Sequence, residues 1–309
     1  MDRCELERLD GELRSQWGID LRSIEEPRWW DDLARECHGE RFALFRELQL
    51  RYSERACGAQ ADESLERAFY DLVAEEPFSG FVHSHRRGVI LDAAVLVDDL
   101  IEREGITGRV LDVGCHVGYL AAWLARRDAA VVVACDICRP ALAAGRLRCR
   151  ALGRRVEFVE ADLLPAGGDG RFDVIVAIDV LPEERQAGLR GLRRLAAGLS
   201  AGGWLILSTG HPLDVAWSPL SRVRESLDTM GLGFVEAGCL GGVVAAGHEP
   251  LAQNVFVLRR GGSQSLPEDC VDRARRGWSA FLEYTSTPGV ADREKSQAWF
   301  ELAGTPRDC

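Results

Sequence analysis

The stretch from Arg109 to Leu120 constrains this chain more than any other. Val110, Leu111 and Val113 form an apolar run of strand length, and Ala121 to Ala125 continue as good helix formers. Gly114 and Gly118 lie on the turn between them, where a residue without a side chain reaches unusual dihedrals and lets a ligand approach the backbone. A strand that feeds a helix through a glycine turn is how open α/β sheets bind nucleotides, at the carboxyl ends of their strands.

Spacing decides which nucleotide. The dinucleotide fingerprint needs glycines two and five residues after the first. Those positions are His116 and Tyr119, which argues against NAD and FAD. A phosphate-binding Walker loop needs a lysine, and the single lysine of the chain is the distant Lys295. The pattern Asp112-x-Gly114-x-x-x-Gly118 resembles motif I of the Rossmann-like (class I) methyltransferases that depend on S-adenosylmethionine (SAM). That family usually writes Asp-x-Gly-x-Gly-x-Gly, and this chain departs at the middle glycine, His116. The resemblance implies a doubly wound, seven-stranded α/β sheet with SAM as cofactor. It assigns Asp112, Gly114, Cys115, Gly118 and Tyr119 to the cofactor-binding turn.

The next two strands carry the same reading. Ala130 to Cys135 is an apolar run that ends at Asp136, where an acid can accept hydrogen bonds from both ribose hydroxyls. Ile137 follows it at the same edge. Val156 to Asp162 is a third strand ending in an acid, and the resemblance implies that Asp162 and Leu163 lie beside the adenine. The fourth strand runs from Phe172 and exits through Asp179, Val180, Leu181 and Pro182. Base-modifying members carry Asn/Asp-Pro-Pro-Tyr at that exit, so its absence here disfavours nucleic acid as acceptor. Trp204 to Ser208 is the fifth strand, turned into by Gly202 and Gly203, and His211 follows its exit. Residues 234–240 and 254–258 read as the closing strands.

Three segments result: a helical N-terminal extension over 1–105, the SAM-binding domain over 106–262, and a C-terminal extension over 263–309 with one amphipathic helix. Apolar residues spaced three or four apart predict helices over 41–60 and 64–74, and a longer one over 87–104 closed by Gly105. An extension of this kind reads as a lid over the acceptor that excludes water, the alternatives being a plain structural cap or a homodimer contact. His83, His85, Arg86 and Arg87 cluster before the long helix. If that segment is extended, alternation points both imidazoles the same way. Arg86 is a candidate partner for the SAM carboxylate, bidentate if geometry allows. The helix Glu183–Ser200 presents Arg185, Arg190, Arg193 and Arg194 on a face read as solvated.

A net charge of −11 argues against a phosphate-binding face, hence against a nucleic-acid partner. No window reaches the roughly 18 apolar residues of a membrane span, and the acidic start has no signal-peptide core. Ten scattered cysteines, including the Cys135/Cys138 pair, read as free thiols in a cytoplasmic protein, with no metal site. The chemistry expected is methyl transfer to an O or N nucleophile of a small, specialised metabolite. Placement of the two reacting atoms roughly 3–3.5 Å apart supplies most of the rate. Asp179, His211, His83 and His85 are the candidate catalytic groups, a base being needed only where the nucleophile must lose a proton. Two rivals are an enzyme that spends SAM otherwise, by cyclisation or aminocarboxypropyl transfer releasing methylthioadenosine, and a non-catalytic SAM-binding module.

Overall fold

A computed structural model describes residues 27–56, 63–127, 130–163, 171–181, 185–209, 220–240 and 253–262, with Gly11 and Ser15. His211, the loop 241–252 and the C-terminal extension 263–309 lie outside the described residues.

The sheet is built from β1 (Arg109–Val113), β2 (Val131–Asp136), β3 (Val156–Glu160), β4 (Phe172–Ala177), β5 (Leu199–Thr209), β6 (Leu232–Leu240) and β7 (Gln253–Arg260). Its seven strands lie in the order β3-β2-β1-β4-β5-β7-β6. β7 pairs antiparallel with both β5 and β6, and the other pairings are parallel. The order reverses between β1 and β4, which opens a crevice at the carboxyl ends of those two strands.

Both faces are covered, which is why the strands read as continuous apolar runs rather than alternating ones. Val110, Val132, Val174, Val176 and Ile206 pack on one side against α4 (Arg87–Glu104), α5 (Tyr119–Leu124) and α6 (Arg139–Ala151). Leu111, Val133, Ile175, Leu205 and Leu207 pack on the other against α7 (Arg185–Gly198) and α8 (Leu220–Thr229). Successive residues of one strand serve opposite layers, as the period of two requires. Gly105 closes α4 in the left-handed region, φ 62°, as its position predicts. Asp98 of α4 is fully buried, and its carboxylate takes the Trp123 indole N–H at 2.9 Å and pairs with Arg126 and Arg127. That network bolts α4 to α5.

Among the described residues, the helices α1 (Pro27–Ala56), bent at Gly39 where φ is 46°, α2 (Glu63–Val73) and α3 (Phe78–His85) precede α4. They have a core of their own, made of Trp30, Phe42, Phe45, Phe69, Phe78 and Phe81 with a few aliphatic side chains. Trp30 stacks on Phe81 with centroids 4.1 Å apart, and Phe45 on Phe78 at 4.7 Å.

Three expectations are corrected. The segment carrying His83 and His85 is helical, so alternation does not point the two imidazoles the same way. Gly202 and Gly203 lie within β5, where the register against β4 shifts; a side chain at Gly203 would meet the carbonyl oxygens of Ser200 and Phe172 at 3.0 and 3.1 Å, tighter than ordinary contact. Arg194 is not merely solvated: it donates to the Asp162 carboxylate at 2.8 Å and to its carbonyl at 2.6 Å.

Candidate functional site

The crevice is lined by the ends of β1 to β4. The described residues include three non-glycine residues with positive φ, and each follows one of these ends. They are His116 (φ 46°) after β1, Leu163 (64°) after β3 and Asp179 (56°) after β4. Backbone strain of this kind, on the order of 1–3 kcal/mol each, gathers where a site requires it.

The turn after β1 is held from several directions. The Cys115 N–H donates to the Cys135 carbonyl at 3.1 Å, and Gly118 N–H to the Cys115 carbonyl at 2.8 Å. Gly118, at φ 75°, opens α5, and a side chain there would strike the Phe158 ring at 2.8 Å. A side chain at Gly114, φ 65°, would come within 2.6 Å of Val180, so the β4 exit lies directly over the turn. Asp112 is buried beneath, where its carboxylate accepts the Ala121 N–H at 3.1 Å and fixes the start of α5. Burial pushes its carboxyl up to about 7, against the pull of that hydrogen bond.

Asp136 stands at the end of β2 with one oxygen accepting the His116 N–H at 2.7 Å and the other the Cys138 N–H at 2.8 Å. A carboxylate oxygen has two lone pairs, so each keeps capacity for one more donor. Ile137 beside it is exposed. The Leu163 carbonyl accepts the Cys135 thiol at 3.1 Å, and Asp162 faces solvent and Arg194. Asp179 is oriented by its N–H, which donates to Ser208 Oγ at 2.8 Å, and its carboxylate forms an ion pair with Arg86.

The N-terminal helices meet the sheet at this edge. His83 of α3 stacks on His116, ring centroids 5.1 Å apart, and lies edge-on to Tyr119 at 4.5 Å. The His83 Nδ1–H donates to the Ser79 carbonyl at 2.8 Å. Burial, then the neighbouring His116, holds His83 well below the usual histidine range, and burial lowers His116 as well. Both rings are therefore neutral at physiological pH. Tyr119 is pushed up by burial, which keeps its phenol protonated. The thiols of Cys135 and Cys138 are pushed up to about 12, and that of Cys115 also rises, all by burial. They are poor nucleophiles and poor metal ligands. No group of side chains able to hold a metal is present among the described residues.

The structure thus brings Gly114, Cys115, Gly118, Tyr119, Asp136, Asp179, His83 and Arg86 to one edge, with Asp112 beneath as a support. His85 ends α3, and nothing is described of its side chain. Sequence reasoning missed Tyr70, Ser208 and the part played by Cys138. The departure from the family pattern at His116 was the visible signal for the first and last.

Residues 110–203 match the family described as methyltransferase domain. Methyltransferase GfsG of Streptomyces halstedii is 35% identical over 153 residues, covering 47% of this chain and 49% of that protein. A ribosomal protein L11 methyltransferase of Geobacter sulfurreducens is 40% identical over 112 residues, covering 36% and 35%. The chain thus spans about half the length of the first of these curated relatives and about a third of the second. Among solved structures, magnesium protoporphyrin IX methyltransferase (ChlM) of Synechocystis PCC 6803 with bound SAH superposes with a TM-score of 0.50 at 19% identity, over 64% of this chain and all of that one. That likeness is one of fold. The motif, the strand order and the match over residues 110–203 agree on a methyltransferase domain of the Rossmann-like fold in that part of the chain.

Proposed function

We propose that the chain transfers the methyl group of SAM to an oxygen or nitrogen nucleophile of a small molecule held between the sheet edge and the N-terminal helices. The observation that carries this reading is the joint at that edge. The helices reach the crevice through His83, Tyr70 and Arg86, where the turn, Asp136 and Asp179 converge.

The residues present fit the cofactor. Asp136 offers two oxygens with spare acceptor capacity, side by side, as a ribose diol requires. Gly114, Cys115, Gly118 and Tyr119 would form the floor, with Ile137 and Leu163 flanking the nucleoside. Asp162 would serve the adenine only by leaving Arg194. SAM supplies a methyl on positively charged sulfur, so the chain's own work is to bind, align and exclude water. Asp179 is the acid best placed to accept a hydrogen bond from an incoming hydroxyl or amine, and exchange of its Arg86 partner would free it. Arg86, so released, is available to an anion such as the cofactor's carboxylate. His83 enters as a neutral imidazole whose Nδ1–H is given to the Ser79 carbonyl, so Nε2 can accept a hydrogen bond. His211, which follows β5 in sequence, remains a fourth candidate.

A small acceptor is supported by the net charge of −11 and by the Asp179-Val180-Leu181-Pro182 exit. The helices act as a lid in this reading. No helix among the described residues is long and apolar enough to cross a membrane.

The test is the nucleoside formed when the protein is incubated with SAM and a panel of phenols, alcohols and amines. S-adenosylhomocysteine (SAH) that rises with one acceptor supports methyl transfer. Methylthioadenosine moves the assignment to attack on the methionine chain, and no product at all to a binding module.

A further inference from the structure

His116 stands where the family usually has glycine, and the structure shows what its side chain does. Its backbone N–H holds one oxygen of Asp136, while its ring turns away into the N-terminal helices. There Nε2 lies 3.3 Å from the carbonyl oxygen of Tyr70 in α2. A carbonyl only accepts, so Nε2 carries the proton. Cys138 repeats the arrangement from the other side. Its N–H holds the second oxygen of Asp136, and its thiol reaches the same Tyr70 carbonyl at 3.5 Å, shared with the Asp71 carboxylate at 3.3 Å. Two residues from different strand ends, sixty-eight and forty-six positions from Tyr70, thus converge on one helix carbonyl and on one carboxylate.

We propose that His116 and Cys138 form a clasp between the Tyr70 carbonyl and Asp136, which makes docking of the N-terminal helices and binding of SAM one coupled equilibrium. The two are positioning residues. With α2 docked, the paired arms set the carboxylate plane, so that its remaining lone pairs are presented together. When α2 and α3 leave together, the His116 ring loses its acceptor, the Tyr70 carbonyl of α2, and its stacking partner, His83 of α3, at a residue whose φ of 46° needs support. The turn and Asp136 then relax together. A glycine at this position could close the turn but could not report on the helices. The proposal rests on the cofactor reading above.

Coupling is reciprocal, so the ligand must also tighten the helices. The experiment is hydrogen–deuterium exchange of the full chain with and without SAH, alongside calorimetry of SAH binding. In the unaltered protein, SAH should slow exchange in α2 and α3 roughly tenfold, inside the 5–150-fold range usual for coupled sites. The pair His116→Leu with Cys138→Ala should weaken SAH about tenfold and abolish the slowing in α2. His116→Gln, which keeps a side-chain N–H to reach Tyr70, should bind SAH within about threefold of the parent. SAH binding without slower exchange in α2 overturns the clasp and needs no variant. So does a folded double variant that binds SAH as tightly as the parent. An unaltered protein that fails to bind SAH overturns the cofactor reading instead, and the coupling with it.

Discussion

The sheet and the N-terminal helices bury their interiors by different means. The two covered faces of the sheet are filled mostly by valine, isoleucine, leucine and alanine, with scattered rings such as Phe158, Phe172, Trp204 and Phe256 among them. The helices rest on a few large rings, with the Arg46 guanidinium set 5.3 to 5.8 Å from the centroids of Trp30, Phe42, Phe45 and Phe81. A periodic aliphatic core spreads its energy over many small contacts. An aromatic core concentrates it, since each ring buries a large area and adds stacking of about 0.5–1.5 kcal/mol. The difference separates tasks: a rigid platform that holds the strand ends, and a layer whose docking hangs on a few contacts and can be made conditional.

The largest effect expected is at Phe45, which is fully buried and touches Phe69, Phe78 and Phe81. Phe45→Ala should cost about 3–5 kcal/mol. Hydrogen exchange should show the loss in α1 to α3 while β1, β2 and β4 keep their protection, as expected of separate cooperative units. Equal loss in both regions would erase the distinction.

Asp98 makes the opposite case, because it braces the platform. Asp98→Asn leaves Arg126 and Arg127 without their buried counter-charge and should cost about 3 kcal/mol, read as a lowered thermal midpoint. Here protection should fall in α4 and α5 and in the sheet, not in the N-terminal helices alone.

The same contrast governs what could be read from sequence. The strands announced themselves because a doubly covered sheet needs long apolar runs, and Gly105 and Gly118 because left-handed positions demand glycine. Asp136 was legible as the polar end of such a run. The joint between the regions was not. The Tyr70 carbonyl is a backbone atom that no residue type betrays, and the partnership of Arg86 with Asp179 spans ninety-three positions. His116 was visible only as a departure, and its meaning needed the helix it touches. Asp162 was legible as an acid at a strand end, whereas its ion pair with Arg194 was not, because that helix face read as solvated.

Acidification should pull the two regions apart with a smaller effect. His83 and His116 are held below the ordinary histidine value by burial, with Tyr119, Asp136, Arg86 and Arg148 around them. Below about pH 6.5 the unfolded chain takes up protons that the folded joint refuses, so stability at the joint falls as pH drops. Asp112 has the opposite sign. Its raised carboxyl binds a proton in the fold near pH 7, while the unfolded chain waits until about pH 4. Its burial therefore costs most above pH 7, and the cost shrinks on acidification. Asp112→Asn keeps an acceptor for the Ala121 N–H and should stabilise the protein by about 1–3 kcal/mol at pH 8, with a smaller gain at pH 5. Thermal midpoints at the two pH values check both statements. A gain that grows toward pH 5 would mean that Asp112 is not buried as an anion.

The central claim is that the crevice between β1 and β4 holds SAM with Asp136 on the ribose. Calorimetric titration of SAM into the unaltered protein and into Asp136→Ala tests it most directly. The account predicts saturable binding weakened by about 1–3 kcal/mol in the variant, the loss expected when hydrogen bonds to a charged acceptor are removed. Equal affinity in the two proteins would contradict it and take Asp136 out of the site.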